Sequence, residues 1–347
     1  MDTQSKIFFE NLLTQAVENK AQGLHLSAGS PPILKISGGL KPLDQESVLS
    51  NENIEEIVFS FLPSADQATL VSEKEITIVH NFKPQLRFKV NVFYQKGNLS
   101  ASFAYIPNQV KNLAELGLEQ VAPVLERFPK GVIIISGPFG SGKSTLITSI
   151  IETINNTKSK YIITIEDPIE FVFTNKKGII EQRQVGRDVK SFEQGLDFLS
   201  EEKVDIIALS EIEDPKAIRA AIEMAQGGRL VIFQIDADSS IKTIENIVTN
   251  FPPKEAQTIR NLLSENLAAV INLHLFKKIG GGSVVIPEIL INNSASKSVI
   301  RDGKFFQLAN ILQTGNDEGM VSLGKAVSDL VAKNIISAEE ARAQLGE

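Results

Sequence analysis

Hydrophobic and polar positions change their rhythm partway along the chain. Residues 4–19 place Ile7, Phe8, Leu12, Ala16 and Val17 near one helical face, and the short segments "LHLSA", "PPILKISGG" and "LRFKVNVF" then alternate as half-buried strands do. This predicts a small α+β domain over residues 1–103. A stretch with a proline and little apolar periodicity, "YIPNQVKNLAELGL", predicts a linker over 104–113. From 114 to 347 the pattern is different. Continuous apolar runs, "GVIIIS", "KYIITIE", "VDIIALSE" and "RLVIFQI", alternate with helical stretches such as "KSTLITSIIETIN", "DPKAIRAAIEMAQ" and "SSIKTIENIVTNF". Strand-like segments alternating with helical ones predict an α/β domain with a mainly parallel sheet. Beyond Pro252 the pattern reads mostly as helices, "AQTIRNLLSENLAAVINLHLF" being the longest. "KKIGGG" reads as a hairpin turn, and "SAEEARAQ" as a solvated helix.

Composition narrows the function classes. With 347 residues and 42% hydrophobic content the chain can fill two domains, and a formal net charge of −7 argues against a nucleic-acid partner. No cysteine is present, so disulfides and thiolate metal sites are excluded. The three histidines lack ligand spacing; His25, in an alternating segment, reads as a packed side chain. No run approaches the ~18 apolar residues of a membrane span, and the amino-terminal "MDTQSKIFFE" is polar. The expected location is cytoplasmic.

The chemistry is concentrated in "GVIIISGPFGSGKSTLITSII", residues 131–151. Gly137, Gly142, Lys143 and Ser144 fit G-x-x-x-x-G-K-[ST], after a strand and before a helix, as phosphate binding requires. Gly140, Ser141 and Thr145 complete the loop. Backbone N–H groups surround phosphate oxygens, Lys143 reaches the outer phosphates, and Ser144 is placed to hold Mg²⁺ through a nucleotide. ATP with Mg²⁺ is the expected ligand. Hydrolysis needs more, namely a carboxylate near metal and water and a positive charge for the transition state. Glu166 and Glu211 are the catalytic candidates because both end strands, where an open parallel sheet gathers its ligand contacts. Asp167 and Asp214, before prolines, have helix capping as an alternative role.

In sequence order, "GPFGSGKST", "TIEDPIEF", "EQRQVGRD" and "FPPKEAQTIRNLLS" resemble the secretion and pilus-retraction ATPases of the PilT type. The tail "PEILINNSASKSVIRDGKFFQLANILQTG" and "GMVSLGKAVSDLVAKNIISAEEA" is similar to the retraction branch. This resemblance implies a PAS-like amino-terminal domain, a RecA-like P-loop ATPase domain and carboxy-terminal helices. It implies a homohexamer, or a mixed ring with an active paralogue, docked on an inner-membrane pilus platform protein at the inner face of the membrane. It also implies that Arg87 and Lys89 face a nucleotide.

Several positions depart from the family pattern. Where the resemblance leads one to expect "RFRVN" the chain has Arg87, Phe88, Lys89, Val90 and Asn91, and Ala104 replaces a further arginine. Phe173 stands for a histidine, Asp197 and Glu201 for arginines, and Ile212 and Glu213 for Met-Arg. Arg229 and Asp236 occupy the places of two histidines. An arginine finger contributes about 10³–10⁵ in rate, or about 4–7 kcal/mol. Turnover is therefore expected to suffer more than binding, unless Arg183, Arg187 or Arg229 supplies the missing charge. The two readings are a retraction ATPase of reduced activity and a nucleotide-holding regulatory subunit.

Overall fold

In the computed structural model, residues 3–36, 39–84 and 86–345 are described. The chain divides into two compact units, Met1–Gln109 with Pro168–Phe171, and Val110–Asp167 with Val172–Glu347.

The first unit begins with helix α1 (Thr3–Glu18), followed by β1 (Gly23–Ser27), β2 (Ile33–Ile36) and β3 (Gly39–Pro42). Helices α2 (Asn51–Phe61) and α3 (Ser64–Glu73) precede β4 (Glu75–Lys83), β5 (Leu86–Gln95) and β6 (Asn98–Ile106). The six strands form one antiparallel sheet in the order β3-β2-β1-β6-β5-β4. Its inward positions, including Leu24, Leu26, Phe88, Val90 and Phe103, pack with Phe9, Leu12, Leu13 and Ala16 of α1. The buried stripe of α1 is thus displaced from the expected one: Ile7 is 55% exposed, and Phe9 and Leu13 take the core positions instead. The residues expected to open the linker continue β6, in which Ala104 lies opposite Lys89.

The second unit starts with α4 (Ala122–Arg127) and alternates strand and helix: β7 (Gly131–Ser136), α5 (Lys143–Thr157), β8 (Tyr161–Glu166), β9 (Ile179–Gln184), α6 (Phe192–Leu199), β10 (Ile206–Glu211), α7 (Pro215–Met224), β11 (Leu230–Ile235) and α8 (Ser240–Thr249). Then come α9 (Pro253–Asn266), β12 (Leu267–Lys277), β13 (Ser283–Ile291) and the helices α10 (Ser294–Asp302), α11 (Leu308–Thr314), α12 (Leu323–Ala332) and α13 (Ala338–Leu345). The sheet order is β13-β12-β7-β11-β10-β8-β9, parallel throughout except for the β12–β13 pair. Val132, Ile133, Ile134 and Ile135 of β7 are fully buried, each side chain stabilising the core by about 1.5–3 kcal/mol. That burial on both faces explains the absence of alternation in the strand sequences.

The stretch expected as the longest carboxy-terminal helix is half strand. Helix α9 stops at Asn266, and Leu267–Lys277 pairs with β7 on one side and β13 on the other. A continuous apolar run cannot by itself distinguish a buried strand from a buried helix. The turn between β12 and β13 is the expected glycine hairpin, with Gly280, Gly281 and Gly282 all at positive φ. Helix α13 is more than a solvated face: Ala341 is buried, and Glu340 accepts a hydrogen bond from the Lys277 backbone N–H at 3.0 Å.

Candidate functional site

Strand β7 stops at Ser136, and the chain turns back on itself through Gly137 before entering α5. At Gly137 φ is 146°, and a Cβ there would stand 2.5 Å from Ser141 Oγ and 2.6 Å from the Leu273 carbonyl oxygen. Only glycine closes this turn. Gly142, at φ 100°, sits at the N-cap of α5 and offers no side chain to the first-turn N–H groups. Helices α6, α7 and α8, by contrast, are capped by Ser191, Asp214 and Ser239. An uncapped helix N-terminus behind a glycine-rich turn presents donors and positive potential to an anion. Ser141 Oγ is buried with no hydrogen-bond partner among the described residues.

Lys143 is 6% exposed, and its ammonium group is encircled. It donates to the Gly137 carbonyl at 3.0 Å and the Pro138 carbonyl at 3.4 Å, pairs closely with Asp236, and lies 3.9 Å from Glu211 Oε2. Ser144 faces the end of β11, where its hydroxyl lies 3.3–3.4 Å from the Gln234 amide. Thr145 is exposed on the first turn of α5. Burial lifts the Glu211 carboxyl above its ordinary value; Lys143 opposes that rise, while Asp236 and Glu213 add to it. The loop thus fits a polyphosphate: it has the glycine geometry, the free helix end and a buried cation. Among the described residues no group of three His, Asp or Glu side chains is placed to hold a metal.

A buried polar joint supports the loop from beneath. Thr243 and Asn272 donate to Ser136 Oγ at 2.7 and 2.8 Å, and Asn272 also donates to the Ala237 carbonyl at 2.9 Å. The joint ties the end of β7, strand β12 and the segment after β11 into one piece. Ser240 continues it, its N–H and Oγ donating to the buried Glu288 carboxylate at 2.8 and 2.6 Å. None of these side chains is marked by a motif; their signal is a polar residue interrupting a strand of apolar ones, as Asn272 does in "LAAVINLHLF".

The remaining predicted residues are dispersed. Glu166 ends β8, three strand positions from β7, or ~14 Å at the usual inter-strand spacing. Its carboxylate accepts from Thr164 at 2.6 Å and Gln182 at 2.9 Å. Arg87 and Lys89 belong to the first unit. There Arg87 donates to the carbonyls of Glu170 at 2.6 Å and Ile169 at 3.1 Å, and Lys89 pairs with the Glu170 carboxylate at 3.0 Å. Asp214 is the N-cap of α7, its carboxylate accepting from the Lys216 N–H. His25 is partly buried on β1, and burial lowers its pKa.

The expected replacements for lost positive charge are not near Lys143 of the same chain. Arg229 precedes β11, and Leu230 pairs with Gly131, so it stands at the end of the sheet opposite the loop, a strand length of ~20 Å away. Its guanidinium donates to the carbonyls of Leu199, Ser200 and Glu202. Arg183 is on edge strand β9, stacked over Phe198 at 5.0 Å. Arg187 is exposed in the turn that follows.

Sheet order, loop and helix together define a P-loop α/β protein with an antiparallel sheet unit ahead of it. The family model for Type II/IV secretion system proteins matches residues 105–304, more than half of the chain. The chain is 37% identical over 331 residues to the Type IV pilus retractation ATPase PilT of Pseudomonas aeruginosa, covering 95% of this chain and 96% of that one. It is 34% identical over 312 residues to a twitching motility protein of Neisseria gonorrhoeae, covering 90% and 83% respectively. A crystal structure of the pilus retraction motor PilT with bound ADP superposes with a TM-score of 0.84 at 34% identity, over 96% of this chain and 95% of that one. The chain belongs to the PilT-type ATPase family.

Proposed function

We propose that this protein binds ATP·Mg²⁺ at the loop Gly137–Thr145 and works as a ring-forming member of the pilus-retraction ATPases, with turnover slower than that of an arginine-complete relative. The observation that carries the reading is the intact phosphate loop around Lys143, set beside carboxylates rather than arginines. In this reading Gly137, Gly140, Ser141 and Gly142 shape the cradle, Lys143 compensates the outer phosphates, and Ser144 shares Mg²⁺ with the nucleotide. Glu211 is the carboxylate that would orient water, since it ends β10 within 3.9 Å of Lys143 Nζ without being its direct partner; Glu166 has a more remote supporting role. ATP would supply the phosphoanhydride, and a transition state in which negative charge shifts toward the equatorial and leaving oxygens calls for cations there that Ala104, Asp197, Glu201 and Glu213 do not provide.

Ring assembly, with Arg87 and Lys89 answering the phosphates of a nucleotide, belongs to the same proposal. Contact with a pilus platform protein and a position at the inner face of the membrane belong to the same proposal, supported by relatives named for pilus retraction and twitching motility. Among the described residues no helix is long and apolar enough to cross a membrane. A second reading, a regulatory subunit that holds nucleotide without consuming it, is favoured by the occupation of Arg229 and Arg183 elsewhere in the fold. Steady-state ATP hydrolysis by purified protein, with Lys143→Ala as control, tests the first reading. Light scattering tests assembly in three settings: the protein alone, with a non-hydrolysable ATP analogue, and mixed with an active retraction ATPase. A monomer in all three settings would defeat both readings. A ring formed only in the mixture favours the regulatory subunit.

A further inference from the structure

The Asp236 carboxylate is the closest charged partner of Lys143, nearer than Glu211, and so stands against the ammonium group that a P-loop lysine directs to the outer phosphates. Its backbone is fixed. Ile235 ends β11, the Ala237 carbonyl just beyond Asp236 accepts from Asn272, and Ser239 caps α8 by accepting from the Lys242 N–H. Its side chain is not fixed: Asp236 is 48% exposed, whereas Lys143 is 6% exposed. Rotation about the side-chain bonds can therefore carry the carboxylate into water while the loop stays still. The ammonium group, confined among Gly137, Pro138 and Glu211, cannot leave in the same way. If a polyphosphate entered with Asp236 in place, one buried cation would face two carboxylates and the phosphate oxygens together, and like charges at such distances repel strongly in a partly desolvated site.

We infer that Asp236 is a displaceable internal counter-anion that holds the outer-phosphate position at Lys143, so that it sets both the affinity of the site and its discrimination between nucleoside polyphosphates and monophosphates. This rests on the nucleotide reading of the same loop. Lys143 reaches only the outer phosphates of a bound nucleotide, so a ligand lacking them has no reason to displace Asp236. The consequence is a site that is electrically satisfied when empty and opens in exchange for a ligand of equal or higher charge.

The test is calorimetric titration of the full chain and of Asp236→Asn with ATP·Mg²⁺, ADP·Mg²⁺ and AMP, with Lys143→Ala alongside. The expected result is an affinity for ATP and ADP about tenfold or more higher in Asp236→Asn, the scale of a close charge pair, and an AMP affinity unchanged within about twofold. Without nucleotide the variant should melt lower than the parent, because its buried ammonium group has lost a counter-ion, and ATP should raise its melting temperature by more. Equal ATP affinity in parent and variant would overturn the proposal while leaving the nucleotide reading standing. An equal gain for AMP would overturn the discrimination. ATP binding by neither protein, or by Lys143→Ala as well as by both, would overturn the nucleotide reading itself. Asp236→Ser serves the same comparison if the asparagine variant does not fold, since a small polar side chain suits a half-exposed position.

Discussion

Two neighbouring strands, β7 and β11, end at the same edge of the parallel sheet and feed loops of opposite character. The loop after β7 has positive-φ glycines, an uncapped helix and a buried lysine, features that suit an anion. The segment after β11 brings Asp236 against that lysine and Gln234 against Ser144. In the proposed function, one loop would supply what ground-state binding needs, and the other would add negative charge where a reacting phosphoryl group would need the opposite. Binding and catalysis draw on different residues, and so they can diverge within one fold.

The severest test of that contrast removes the attractive side. Lys143→Ala should abolish ATP binding, taken as a loss of about 100-fold or more, read by calorimetry; retained affinity would mean that the β7 loop is not the binding loop. Next in size is Glu211→Gln, which should eliminate residual turnover in a coupled phosphate-release assay while changing ATP affinity by less than about threefold. The same variant carries a pH signature. A carboxyl whose folded pKa is raised above 4.5 keeps its proton in the fold at pH values where the unfolded chain has lost it. Its contribution to stability is therefore present below pH 4.5 and is lost as pH rises through the raised value. Thermal melts of the parent across that window should show this decline, and Glu211→Gln should flatten it.

Two further substitutions sharpen the comparison by acting on its supports. Asn272→Ala removes the donor shared by Ser136 and Ala237 and should cost about 1–3 kcal/mol in denaturant unfolding, with ATP affinity altered as the β11 segment loosens. Arg229→Ala should cost only about 1 kcal/mol, because two of its three carbonyl acceptors, those of Ser200 and Glu202, lie in an exposed loop that water can reach. It should leave ATP affinity untouched. If turnover disappeared with Arg229, the charge would have to be delivered to another subunit's site.

The sequence made the β7 loop and the four buried strands plain because each depends on local order: glycine spacing, continuous β-branched runs and helical flanks. It left the other side obscure for physical reasons. Asp236 stood out only as an acid in place of a histidine, and nothing local announces that it reaches Lys143 across a strand boundary. Asn272, Thr243 and Ser136 are far apart in the chain and become one joint only when β12 lies beside β7. The end of α9 was also hidden, since "ENLAAVINLHLF" satisfies a helical and a fully buried strand pattern equally. In α1, a stripe drawn through Ile7 and Phe8 differed from the real one through Phe9 and Leu13 by a small rotation, which period counting does not resolve in a helix with apolar residues at adjacent positions.

Strand β12 does not stop where its parallel neighbour does. Asn272 pairs with Ser136, the last residue of β7, and Leu273–Lys277 continues for ~17 Å with β13 as its one paired strand among the described residues. This ribbon has a small apolar cluster of its own, in which Phe276 and Ile286 meet Val327 of α12, Ala341 of α13 and Ile336 from the turn between them, separate from the large core around the parallel sheet. A two-stranded ribbon with so small a core opens by itself more readily than the sheet from which it grows. The amide protons of β12 should accordingly exchange at two rates, slow up to Asn272 and faster beyond it. Proteolysis that trims the carboxy-terminal helices would fray the tip and leave the phosphate loop folded.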